Sequence, residues 1–217
     1  CLTLIEIFKY ISENRSEQFL LQVGYYEIDN EEIKDLLSDE NNDNDTSNKK
    51  KQASEKLQIV DRPDVGPCVL NLTLVPVSTP EDALEQLLKG NRKRRQMEEG
   101  NRLGSHPATH AVLQLRIEST PNGGEGSNGS EASTTRVARL NLIDLAGSEK
   151  MKVLGNSGGA KMIMNASLLA LGNVIAKLAS KSSHVPYRDS KLTRLLSTSL
   201  GGNARTAIIC TVRPGRH

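Results

Sequence analysis

One stretch limits the possible folds more than any other: Leu140-Asn141-Leu142-Ile143-Asp144-Leu145-Ala146-Gly147-Ser148-Glu149. A β-prone apolar run ends on an acid, and a glycine follows three residues later. That order brings a carboxylate and a bare backbone N–H together at the carboxyl edge of a sheet. By itself, Asp-x-x-Gly after a strand is an ordinary turn.

The surrounding pattern supplies the layers. Leu4, Ile7, Phe8 and Ile11 recur at helical spacing over residues 2–12, and Gln18 to Ile28 alternates as a strand. A short helix is expected from Glu31 to Leu37. Asp39 to Glu55 has almost nothing to bury and is expected to be a disordered surface loop. Small strands are expected at Leu57–Val60 and Val69–Val77. Thr79-Pro80-Glu81-Asp82 has the cap, proline and acidic first turn of a helix start, and that helix is expected to end near Leu88. Strands are expected at Ala111–Glu118 and Val137–Asp144, joined by a Gly/Ser-rich hairpin loop over 121–133. Asn165–Ser180 and Ser190–Ser199 read as amphipathic helices, and Ala207–Val212 as a fully buried strand. Strands alternating with helices predict an α/β domain of three layers, with helices on both faces of a mostly parallel central sheet.

A chain of 217 residues suffices for one domain that buries about 70% of its unfolded surface. The net charge of +2 is too small to imply nucleic acid or an acidic membrane, so any basic partner surface must be local. Cys1, Cys68 and Cys210 are widely spaced and fit no metal pattern; all three are read as inert. No apolar run reaches a membrane span, and a soluble intracellular protein is expected.

In nucleoside triphosphatases, a strand ending this way puts the acid near a magnesium ion and the glycine N–H against the terminal phosphate. The string Asp-Leu-Ala-Gly-Ser-Glu in full closely resembles the switch II motif of kinesins. A second string agrees: His184-Val185-Pro186-Tyr187-Arg188-Asp189-Ser190-Lys191-Leu192-Thr193-Arg194-Leu195-Leu196, then Ser199-Leu200-Gly201-Gly202-Asn203-Ala204, is similar to the kinesin loop and helix that lie against tubulin. Ser167 to Ile175 resembles the relay helix, and Phe19 to Leu37 resembles an earlier strand-and-helix segment. Ile117-Glu118-Ser119 and Ile208 to Val212 look most like the kinesin-7, or centromere-protein-E-like, branch. The likeness spans nearly the whole chain.

The resemblance implies a cytoplasmic, microtubule-stimulated ATPase of the cytoskeleton, with ATP and magnesium as cofactors and tubulin as partner, and without nucleic-acid or membrane partners. It assigns phosphate sensing to Asp144, Gly147 and Glu149, and a magnesium-linked hydroxyl to Thr109. Lys181, Tyr187, Arg188, Lys191 and Arg194 form the microtubule-facing set. Three departures matter. First, the phosphate loop Gly-x-x-x-x-Gly-Lys-Ser/Thr does not occur, and the nearest stretch, Leu154 to Met162, has Ala160 where the second glycine belongs and Met162 where the hydroxyl belongs. Second, switch I reads His106-Pro107-Ala108-Thr109-His110, so Thr109 alone keeps a hydroxyl and Ala108 cannot pair with Glu149. His106 and His110 are poorly placed as a metal pair because Pro107 opposes a helix. Third, the loop from Gly158 to Ser167 is shortened. The basic run Lys89, Arg92, Lys93, Arg94 and Arg95 reads as a solvated helix face. The chain is therefore expected to be the back portion of a motor domain, with the preceding strands and phosphate loop missing and no coiled coil following. Three readings stay open: a fragment of a longer motor, a non-catalytic microtubule-binding module, or a degenerate product that does not fold alone.

Overall fold

The computed structural model describes residues 2–38, 57–63, 65–100, 109–122, 134–147, 151–154, 160–163 and 165–211. The disordered loop expected over 39–55 lies outside the described residues, as does most of the hairpin loop expected over 121–133.

Helix α1, Leu2–Glu13, leads into the long strand β1, Glu17–Asp29. The chain then turns straight back as β2, Glu32–Asp35, where a helix was expected. Asn30 and Glu31 both adopt positive φ, 46° and 64°, and Asp29 pairs with Glu32. Two left-handed residues between paired strands make a type I′ turn, whose twist suits a hairpin. The apolar spacing of Ile33, Leu36 and Leu37 satisfies either element, and the turn decides.

Strands β3, Gln58–Arg62, and β4, Gly66–Leu70, form a separate hairpin. β5, Val75–Val77, joins β1. Helix α2, Pro80–Gly100, runs about three turns past its expected end. Gly90, just past the expected end, would weaken an isolated helix. A Cβ at Gly90 would lie 2.1 Å from Cδ1 of Tyr25, so this glycine lets the helix backbone lie against the Tyr25 ring of β1.

β6, His110–Pro121, pairs with β1 from Ile28↔His110 to Glu17↔Pro121, and with β7, Arg136–Asp144, on its other side. The main sheet runs β2-β1-β6-β7, with β5 also on β1. Among the described residues every strand pairing is antiparallel, which corrects the expectation of a mostly parallel sheet. Parallel neighbours need crossover connections; here β1 and β2 are joined by a tight turn, and β6 is followed directly by its neighbour β7.

The expected helices on both faces are present. On one face, Leu4 of α1 and Ala83 of α2 pack with Leu21, Val23, Tyr25, Leu113 and Leu115 of the sheet. On the other, Leu171 of helix α3 (Ala166–Ala179) and Leu192 of helix α4 (Lys191–Gly201) pack with Tyr26, Ile28 and Val112. Alternation along β1 and β6 feeds both cores at once, so the strands are buried on both faces. Two further differences concern the end of the chain. β8, Met151–Leu154, and β9, Ala160–Ile163, form a hairpin the sequence did not signal. Residues 203–211, expected to include a buried strand, contain no strand, with Ile208 66% and Ile209 92% exposed. A strand forms only against a neighbour, and β7 pairs with β6 alone among the described residues.

Candidate functional site

The register Ala111↔Asp144 sets the start of β6 beside the end of β7. Thr109 and His110 therefore lie next to the Asp144–Gly147 segment. Arg94 enters this corner from α2. Its Nε lies 3.2 Å from Glu27 Oε1, its Nη1 3.4 Å from Asp144 Oδ2, and its Nη2 3.4 Å from Thr109 Oγ1. The Thr109 hydroxyl in turn donates to Glu27 Oε1 at 2.5 Å. Glu27 is almost completely buried, and a buried carboxylate requires such partners. Burial opposes the charge on Arg94, but the attraction of Glu27 and Asp144 outweighs it and raises the guanidinium above its ordinary pKa.

His110 ties the same corner to α3. Its Nδ1 accepts the Ala146 N–H at 3.0 Å, and its Nε2 lies 2.6 Å from Ser167 Oγ. Ser167 donates its own hydroxyl proton to Asn165 Oδ1 at 2.5 Å, so Nε2 carries the imidazole proton and donates it to Ser167. The ring is thus held neutral, and burial pushes its pKa below the ordinary value, against opposing effects from Asn165 and Asp144. This polarity excludes a nucleophilic serine, because Nε2 has no free lone pair with which to take the hydroxyl proton. Asn165 also caps α3, accepting from Ser167 N and Leu168 N.

The structure thus brings Thr109 and Asp144 together and leaves Gly147 exposed beside them; Glu149 lies outside the described residues. The place between Thr109 and Asp144 is taken by a guanidinium. Thr109's proton is committed to Glu27, and no cluster of three His, Cys, Asp or Glu side chains suited to a metal ion occurs among the described residues. These residues do not fit a directly held magnesium ion, and no step can be built through one here. Arg94 and Glu27 were missed in the sequence: Arg94 was one cation in a run read as solvated, and Glu27 was one acid in a strand. Lys93 also turns inward, donating to Asp35 O at 2.9 Å and Ser38 O at 3.0 Å, whereas Arg92 and Arg95 are exposed.

A second grouping forms where α3 meets α4. Lys181 follows α3 with φ of 51°, Tyr187-Arg188-Asp189 forms a short 3-10 turn, and Ser190 caps α4 through a full capping box with Thr193. Lys181 and Arg188 are exposed and Lys191 is half-buried. The Lys191 N–H donates to Glu31 Oε2 at 2.6 Å, which fixes the start of α4 on the β1–β2 turn. Arg194 is drawn aside to Asp61 of β3 at 2.8 Å. The hydroxyl of Tyr187 abuts Gly201, where a Cβ would lie 2.0 Å away.

The kinesin motor domain family model matches residues 2–217. This chain belongs to the kinesin motor-domain family. It is 38% identical to kinesin-like protein KIN-7N of Arabidopsis thaliana over 98% of its length, and 40% identical to kinesin-like protein KIN-7F of Oryza sativa over 99%. It is also 39% identical to kinesin-related protein 11 of Dictyostelium discoideum over 97%. The chain spans 24%, 21% and 30% of the lengths of these relatives. The Asp144 corner and the α3–α4 grouping carry the strings Asp144 to Gly147 and His184 to Leu196, and His110 joins the first to α3 through Ala146 and Ser167.

Proposed function

We propose that this kinesin-family chain, taken alone, is a microtubule-binding module that does not hydrolyse ATP. The observation that carries the reading is the union of Lys181, Arg188 and Lys191 on one packed unit of α3, the 3-10 turn and α4. An acidic partner surface suits such a group. Asp144 and Gly147 have no phosphate loop in the 217-residue sequence to hold a triphosphate, and Arg94 already neutralises the Asp144 carboxylate. In this reading Arg194 is a positioning residue that braces the β3–β4 hairpin, and Tyr187 and Lys191 fix the turn that presents Arg188. The chain's place is the cytoskeleton.

Cosedimentation with taxol-stabilised microtubules tests this. The parent chain is expected to pellet with microtubules at low salt and to be released as salt rises, because screening shortens from about 10 Å at 0.1 M to 3 Å at 1 M. An Arg188→Ala, Lys191→Ala variant is expected to bind at least about tenfold more weakly. Binding indifferent to salt and to both substitutions would overturn the tubulin assignment. A turnover of ATP that microtubules accelerate and Gly147→Ala abolishes would overturn the non-catalytic assignment.

A further inference from the structure

We infer that Asp61 is an internal stand-in for a carboxylate of the acidic partner: it holds Arg194 in the free chain, and the partner must displace it to engage Arg194. The inference rests on the microtubule-binding reading above and adds to it a residue that limits affinity. Arg194 lies three positions after Lys191 on α4, so the two are neighbours on the helix surface, and the turn that carries Arg188 ends directly before the Ser190 cap. Helical geometry alone would count Arg194 with these cations. Its guanidinium instead reaches Asp61 of β3, Nη2 to Oδ2 at 2.8 Å.

Two observations make this pair releasable. The side chains are 33% exposed for Arg194 and 51% for Asp61, and an ion pair this open to water is weak. Nε of Arg194 is buried without a hydrogen-bond partner, the one such side-chain atom among the described residues. A guanidinium fork is suited to two parallel bonds to a carboxylate, whereas Asp61 takes a single bond from Nη2, so the cation is incompletely satisfied in the free chain. The β3–β4 hairpin stays in place without the pair. Arg139 donates to Val65 O and, at 3.4 Å, to Pro67 O, and Val69 packs against the same core as Leu195 and Leu196. Gly66, at φ 70°, lies so close to α4 that a Cβ there would come within 2.6 Å of Thr198 Cγ2. Release is then a movement of side chains. An acidic surface laid against Lys191 offers carboxylates that replace Asp61 on Arg194, and the displaced Asp61 leaves a like charge facing that surface. Both effects make Asp61 lower the affinity.

Cosedimentation of the full 217-residue chain with taxol-stabilised microtubules at one low salt concentration is the test. The parent, Asp61→Asn, Arg194→Ala and the double variant are compared, with circular dichroism to show that each is folded. Asp61→Thr, which suits a strand, takes the place of Asp61→Asn in the cycle if the latter is unfolded. Asp61→Asn is expected to bind about fivefold more tightly than the parent, the upper range for an exposed pair. Removing an acid favours an acidic partner whether or not Arg194 moves, and the Arg194→Ala background measures that field effect alone. There the same substitution is expected to gain less than about twofold, and the excess in the parent background is the coupling. A parent that does not pellet with microtubules would overturn the microtubule-binding reading and this inference together. A parent that pellets, combined with equal gains in both backgrounds or with no gain from a folded Asp61 variant, would overturn this inference alone.

Discussion

The guanidinium of Arg94 closes over the carboxylate of Glu27, with Nε 3.2 Å from Oε1 and side-chain exposures of only 16% and 4%. Removing one partner strands the other's charge in a dry corner. Arg94→Met is therefore expected to destabilise the chain by about 3–5 kcal/mol, measured by urea unfolding. The Glu27→Gln, Arg94→Met double variant should lose clearly less than the sum of the two single changes. Additive losses would show that the pair is not coupled.

Gly90 and Tyr25 make a second long-range dependence. Gly90→Ala should improve an isolated helix by about 1 kcal/mol, yet the added methyl meets the Tyr25 ring at 2.1 Å. The Tyr25 hydroxyl also donates to Asn91 at 2.8 Å, so the ring cannot withdraw without losing that bond. A net loss of about 1–3 kcal/mol is expected in thermal or urea unfolding. Pairing Gly90→Ala with Tyr25→Val should recover part of it.

These two contacts also explain what was legible in the sequence. The α1, β1, β6, β7, α3 and α4 segments were legible from their own apolar patterning, whereas the capping roles of Asn165 and Ser190 came from the structure. Where local signals conflicted, tertiary contacts decided. The helix expected to end near Leu88 runs on through Gly90, because the partner that favours a glycine there, Tyr25, lies far away in sequence. Glu31 to Leu37 looked helical because its apolar spacing suits either element, and the left-handed pair Asn30-Glu31 is written in side chains that do not demand that backbone. Ala207–Cys210 has the composition of a strand but lacks an adjoining one among the described residues, and composition says nothing about neighbours. In the site, Asp144 and Gly147 were read from the motif, whereas Glu27 and Arg94 became visible only once β1 and α2 met. Thr109 was expected to offer a hydroxyl to magnesium; Glu27 takes its proton.

His110 makes stability depend on pH with a definite sign. Its folded-state pKa lies below the ordinary 6.5 because burial disfavours the charged ring. Between the folded value and about 6.5 the unfolded chain binds more protons, so stability rises with pH across that window. The contribution is complete above about pH 6.5 and is lost as pH falls toward the folded value. His110→Asn should be less stable than the parent at pH 8, and the difference between the two should shrink as the pH is lowered through that window. Urea unfolding at a series of pH values checks this, and a constant difference would refute it.

Thr193 links fold stability to the proposed tubulin face. It is fully buried, its hydroxyl donates to Tyr187 O at 2.8 Å, and it accepts the Ser190 N–H at 3.2 Å. Ser190 Oγ accepts the Thr193 N–H at 3.1 Å. This reciprocal pair sets where α4 begins and so where Arg188 and Lys191 point. Thr193→Val keeps the volume but leaves the Tyr187 carbonyl and the Ser190 N–H without this partner, at a cost of about 1–3 kcal/mol. Ser190→Ala should cost about 0.5–2 kcal/mol through the lost cap. Under conditions where the variants remain folded by circular dichroism, both should also bind microtubules more weakly than the parent, although neither substitution removes a charge. Cosedimentation at one fixed salt concentration measures that. Unchanged binding in a folded Thr193→Val chain would show that the cations act as a diffuse field and do not need the fixed turn.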